Sequence, residues 1–336
     1  MHAFVATCVT LLALAGVNSL TLSRMGSRTT PAIRDIQQFP NETWVENLAV
    51  RKNGQILVSV LSAPEVYQVD PFYANSSATL ISRIPGVTGL TGIVELQHDV
   101  FYVIAGNFSI ATFKTTNGSY SIWKIDMRKS KVLNGSVQPP AVVTKVTDIP
   151  EGSFLNGMTV LRKSKGLVSV GDAGAGVVFT LNVGTAKYSK TIDDPTMKPA
   201  GPLMLGINGM KIRGRFLYYT NTGQETFNRI LINNKDGSAA GPAQVMTKNF
   251  FGDDFSFDQK GNAFIGQNVK DTVAKITPDG MVTIVAGSLN STLVAGATAT
   301  NFGRTRSDRS VVYVTTSGGI GSPAKVEGGK VVAIST

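Results

Sequence analysis

Residues 206–223 decide the reading: Gly206-Ile207-Asn208-Gly209-Met210-Lys211-Ile212, a short turn, Phe216-Leu217-Tyr218-Tyr219, then Thr220-Asn221-Thr222-Gly223. A polar residue and a small residue lead a strand with alternating apolar positions, and a more apolar strand follows at once. Alternation broken by a tight Gly-containing turn marks an antiparallel hairpin. The same unit recurs along the chain. Its lead residues are Glu46, Thr91, Asn156, Asn208, Asp253 and Thr300, at intervals of 45, 65, 52, 45 and 47 residues. Further strands follow in most copies, such as Gly176-Val177-Val178-Phe179-Thr180-Leu181 and Thr272-Val273-Ala274-Lys275-Ile276. A period of this length, with several strands per copy, is the signature of a propeller blade. The expected fold is all-β: a six-bladed β-propeller of four-stranded blades. An insertion falls in the second blade, and pairing of N- and C-terminal strands closes the ring.

Composition agrees. Of the 336 residues 42% are hydrophobic, 16% are charged and 35 are glycine. This suits a large core of short strands and tight turns, and argues against disorder. Residues 1–19 contain the apolar run Ala3–Gly16 followed by small residues, which reads as a secretory signal peptide. Residues 20–336 then form a single propeller domain. No later stretch is long enough to span a bilayer. Six sequons, at Asn41, Asn75, Asn107, Asn117, Asn134 and Asn290, fit the secretory pathway, an extracellular destination and glycosylation on surface loops.

Cys8 and His2 fall inside the leader, leaving His98 as the sole histidine of the mature chain. Thiol nucleophiles, zinc–thiolate centres and multi-histidine metal sites are excluded on that reading. His98 itself reads as a solvated turn residue. No Gly-x-Ser-x-Gly elbow or Walker loop occurs, and the glycines of 171–176 precede no helix. The formal net charge of +10 is spread through turns such as Arg128-Lys129-Ser130-Lys131 and Arg162-Lys163-Ser164-Lys165. Without interleaved aromatics these read as a solvated cationic surface, not a nucleic-acid interface.

In a propeller the innermost strands line one channel, so the six lead residues meet around one axis. Glu46 and Asp253 repel there unless a proton or a cation lies between them, and a carboxyl so placed is a candidate general acid. Asn156 and Asn208 complete an oxygen set that suits a polar substrate or a hard cation such as calcium. Thr91 and Thr300 are read as bonding local backbone or as touching substrate. Trp44 is read as an apolar wall at the mouth or as core. Phe302 is read mainly as packing between blades, with substrate contact as the other assignment.

The repeat resembles the gluconolactonase/SMP-30-like propellers. That resemblance implies a divalent cation on Glu46, Asn156 and Asn208, and a cation-dependent lactonase or esterase activity. Asn208 stands where that family has Asp, so the set is one charge short. The chain is also similar to a fungal subgroup of secreted propellers that includes hetero-Diels–Alderases. The segments that carry this are Trp44–Arg51, Phe154–Met158, Gly206–Met210 with Tyr219–Gly223, Asp253–Phe255, and Val294–Gly296 leading to Phe302–Thr305. This second resemblance implies a pericyclase without a cofactor. Its small-molecule substrates would be a tropolone-derived quinone methide and a humulene-type sesquiterpene. Glu46 and Asp253 would then be catalytic, with Asn156, Asn208, Thr91, Thr300, Trp44 and Phe302 binding substrate. A non-catalytic secreted binding propeller is the third reading.

Overall fold

The computed structural model describes residues 31–73 and 77–336, so the leader reading and the Asn75 sequon lie outside the described residues. Six four-stranded antiparallel sheets form the blades. Their innermost strands are Val45–Val50, Gly89–Gln97, Leu155–Arg162, Ile207–Arg213, Phe255–Phe257 and Ala297–Phe302. The ring closes as the sequence suggests. Ile33–Gln38 is the outermost strand of the sixth blade and pairs with Lys330–Ser335, Ile33 facing Ile334 and Asp35 facing Val332. The C-terminal strand is thereby covered on both sides.

The apolar core is divided as the ring is. Six clusters of buried side chains each join two neighbouring blades. Met210 and Tyr219 of blade 4, for example, pack with Val178 and Ile192 of blade 3. Alternation along each strand produces this, because one face of every sheet meets the blade before it and the other face the blade after.

Near the axis the blades approach too closely for side chains. A Cβ on Gly157 would lie 2.1 Å from the carbonyl oxygen of Asn208, and one on Gly92 2.4 Å from that of Asn156. The small residue of the repeat is therefore a packing requirement. Beside it the ladder is irregular: pairing slips between Val45 and Asn47, Leu90 and Ile93, Leu155 and Met158, Ile207 and Met210, and Ala297 and Ala299. Such a bulge re-aims the side chain it releases. In the first four blades the released residues include the lead residue of the repeat.

In the sixth blade the register differs from the expectation. Ala297 faces Thr316 and Ala299 faces Thr315, so Thr298 takes the place held by Glu46 and Asn156. Thr300 lies two residues further on, at the level of Leu48 and Met158. The pattern Thr300-Asn301-Phe302-Gly303 imitates the repeat, but it is Thr298, flanked by two alanines, that sits at the lead position.

The long second interval is explained by two extra hairpins. One is Phe108–Ser109 with Lys114–Thr115, and the other Lys131–Leu133 with Ser136–Gln138. Of the sequon asparagines, Asn41, Asn117, Asn134 and Asn290 are exposed. Asn107 departs from the surface-loop expectation. It is half-buried, and its side-chain oxygen is enclosed without a partner.

Candidate active site

Each inner strand begins at the mouth that bears the lead residues and runs away from it. At this first mouth lies a cavity of about 160 Å³, floored by Glu46, Asn156, Asn208 and Asp253. These four come from blades 1, 3, 4 and 5, and each is at most 7% exposed. Thr91, Thr300 and Phe302 do not line it. Thr91 turns its hydroxyl to the carbonyl of Leu155, at 2.9 Å, and Thr298 makes the equivalent bond to Val45, at 2.8 Å. Both bonds tie one blade to the next. Thr300 donates to the carbonyl of Phe264 at 2.6 Å and lines the opposite mouth. Phe302 packs edge-on against Phe264.

Trp44 does reach the cavity, and its role is polar as well as apolar. Its indole Nε1–H donates to Glu46 Oε2 at 2.5 Å, and the Asn156 amide donates to Glu46 Oε1 at 3.2 Å. Those two bonds favour the carboxylate, yet burial outweighs them. With the negative charge of Asp254 adding to it, burial lifts the Glu46 carboxyl from an ordinary 4.5 to about 7. Asp253 is pushed well above the usual range by burial, by Glu46 and by Asp254, against the opposing amide of Asn208. A floor with this chemistry retains a proton near neutral pH.

The two asparagines have acceptors to spare. Asn208 donates through Nδ2 to Thr222 Oγ1 at 3.0 Å, and Asn156 donates to Glu46. Both Oδ1 atoms are buried without a partner. An unmet buried carbonyl is costly, so each of these marks a place for a guest's donor or for a cation.

Above the floor the walls are apolar. Phe108 stacks on Phe154 with ring centroids 5.6 Å apart, and Phe113 meets Trp44 edge-on at 6.3 Å. Leu61, Leu203, Leu205, Phe251 and Val269 complete the wall. Phe108, Phe113 and Thr115 belong to the first extra hairpin of blade 2, so that insertion overhangs the mouth. The insertion is visible in the repeat spacing; its place over the site is not.

Beneath the floor lies a second polar layer. Asp254 accepts from Asn47 Nδ2 at 2.9 Å, from the backbone N–H of Phe255 and from Lys211 Nζ. Asn47 and Asp254 occupy the position that Gly157 and Gly209 hold in blades 3 and 4. That departure from the repeat is the sequence signal for the layer. The cavities on either side have no lining residue in common.

Elsewhere among the described residues, Glu95, His98 and Asp99 lie close enough to share a cation. Arg51 and Arg304 already pair with the two carboxylates, and His98 is 68% exposed. This is the solvated turn expected for His98. No helix among the described residues is long and apolar enough to cross a membrane.

No protein-family model matches the chain. It is 28% identical over 324 residues to a Phoma sp protein with the provisional name hetero-Diels-Alderase, covering 88% of this chain and 90% of the relative. A second relative, from Sarocladium schorii, has the same provisional name. It is 26% identical over 355 residues, which is 94% of this chain and 84% of its own. Among solved structures, the calcium-binding protein regucalcin of Agrobacterium tumefaciens superposes with a TM-score of 0.61 at 14% identity, over 90% of this chain and 93% of its own. The chain thus has the propeller architecture of regucalcin and sequence similarity to proteins named for a cycloaddition.

Proposed function

We propose that the protein is a pericyclase that joins a tropolone-derived quinone methide to a humulene-type sesquiterpene by hetero-Diels–Alder addition. The observation that carries this reading is the floor: a buried carboxyl that keeps its proton to about pH 7, beside two unmet amide carbonyls and under an apolar wall. The similarity to the two provisionally named relatives supports it.

The chemistry follows from those groups. A hydroxymethyl tropolone offers hydroxyls to Asn156 Oδ1 and Asn208 Oδ1. Glu46 donates its proton to the departing hydroxyl, the C–O bond breaks and water leaves. The ring hydroxyl returns a proton to the Glu46/Asp253 pair, so the quinone methide is neutral and the floor is reset. Cycloaddition then needs no proton. It needs the alkene held against the diene, which is the part the wall of Phe108, Phe113, Phe154 and Leu205 plays. The same apolar wall keeps the reactive intermediate from water.

The test is a product ratio. Purified protein incubated with the tropolone precursor and humulene is expected to speed adduct formation and to bias its stereochemistry. A ratio identical to the protein-free reaction refutes the proposal.

One observation favours a second reading, a cation-dependent lactonase. Asn156 Oδ1, Asn208 Oδ1, Asp253 and Glu46 form an oxygen-only set of the kind a hard cation takes. A cation held there would polarise a lactone carbonyl. Ester hydrolysis that disappears on exhaustive chelation and returns with calcium would favour it. A propeller that binds these substrates and leaves both reactions unaltered would be a binding protein.

A further inference from the structure

The far end of the channel has no part in the chemistry above, yet it holds the larger cavity, about 470 Å³. Its lining mixes polar and apolar groups, the polar surface being the larger, and the apolar residues Leu48, Met158, Ile212 and Phe257 are contributed by four blades. Its charged groups are three cations and one carboxylate. Lys163, Lys211 and Arg304 line it from blades 3, 4 and 6, and Glu95 is the acidic residue of the lining.

Two of these cations are already ion-paired, yet each keeps unspent donors. Lys163 has no ion-pair partner among the described residues. Lys211 spends one ammonium N–H on Asp254, leaving two of its three donors. Arg304 meets the carbonyl of Val50 and the carboxylate of Glu95, and a guanidinium has five N–H groups. Several other lysines are neutralised where they stand: Lys145 by Asp148, Lys190 and Lys198 by Asp193, and Lys330 by Glu327. Lys163, from the basic run 162–165, is exposed and lines the cavity without such a partner.

We propose that this second mouth is a small-molecule site in its own right. It takes an organic monoanion whose carboxylate meets Lys163, Lys211 and Arg304, while its apolar body lies along Met158, Ile212 and Phe257. Charge selects the head group and the walls select the tail. The layer of Asn47, Asp254 and Lys211 lies between this site and the first cavity, and the two share no lining residue. The inference does not depend on which reaction the first mouth performs.

Calorimetric titration of the full chain with octanoate, octan-1-ol and octylammonium at low ionic strength is the test. Octanoate is expected to bind saturably with one site per chain, and the other two at least about tenfold more weakly. Lys163→Met, at an exposed position, should weaken octanoate about tenfold while leaving the melting temperature unchanged. Phe154→Ala, in the first cavity, should leave octanoate affinity as it was. Absence of saturable octanoate binding overturns the proposal. So does equal binding of the alcohol or the amine, or full affinity in Lys163→Met. An affinity lost in Phe154→Ala would put the anion at the first mouth and overturn it too.

Discussion

The folded chain holds a proton on Glu46 up to about pH 7, whereas the unfolded chain releases it near the ordinary 4.5. Between those values the folded state binds more protons, so its stability falls as pH rises. The contribution is complete below 4.5 and is lost through about pH 7, on the order of 3 kcal/mol in all. Glu46→Gln removes that loss. The variant should melt above the wild type at about pH 8 and close to it at about pH 4.5, as scanning calorimetry would read. Its turnover should fall by at least about a hundredfold, measured as adduct formed per minute. Wild-type turnover should itself decline as pH climbs past about 7, because the acid form is then depleted. A variant more stable yet less active would separate the chemical role of Glu46 from a structural one.

At the scale of strands and hairpins, part of the site is legible in the sequence and part is not. Glu46, Asn156, Asn208 and Asp253 can be read from the chain because each is the polar residue that leads its copy of the strand repeat. The sixth copy misleads, since Thr300-Asn301-Phe302 has the look of the repeat while Ala297-Thr298-Ala299 has lost it. The apolar wall is not legible, because Phe113, Leu203 and Phe251 come from separate connections that only the closed ring brings together. The repeat marks Asn47 and Asp254 as departures from its small residue, but not that they bond to each other across 207 positions. Two expectations belong to this scale. Thr91→Val and Thr298→Val each remove a tie between blades, at about 1 kcal/mol apiece in urea unfolding, with activity unchanged. Phe113→Ala, in the overhanging hairpin, should raise KM several-fold with kcat little altered, since it removes wall and leaves the acid in place.

For the whole molecule, stability rests on closure. Six seams of apolar packing surround the axis, and the strand Ile33–Gln38 completes the last sheet. Deleting residues through Gln38 would bare the edge of Lys330–Ser335 and withdraw Ile36 from its cluster. The melting temperature should drop by roughly ten degrees or more, with aggregation on heating followed by light scattering. The layer of Asn47, Asp254 and Lys211 has a consequence at this scale as well. It stands between two cavities that share no lining residue. A product barred by that layer would depart through the doorway by which its precursors arrived, past the overhanging hairpin. A bulky adduct leaving by that route obstructs the next arrivals, so traffic at one threshold, rather than bond formation, would set the pace of repeated turnover.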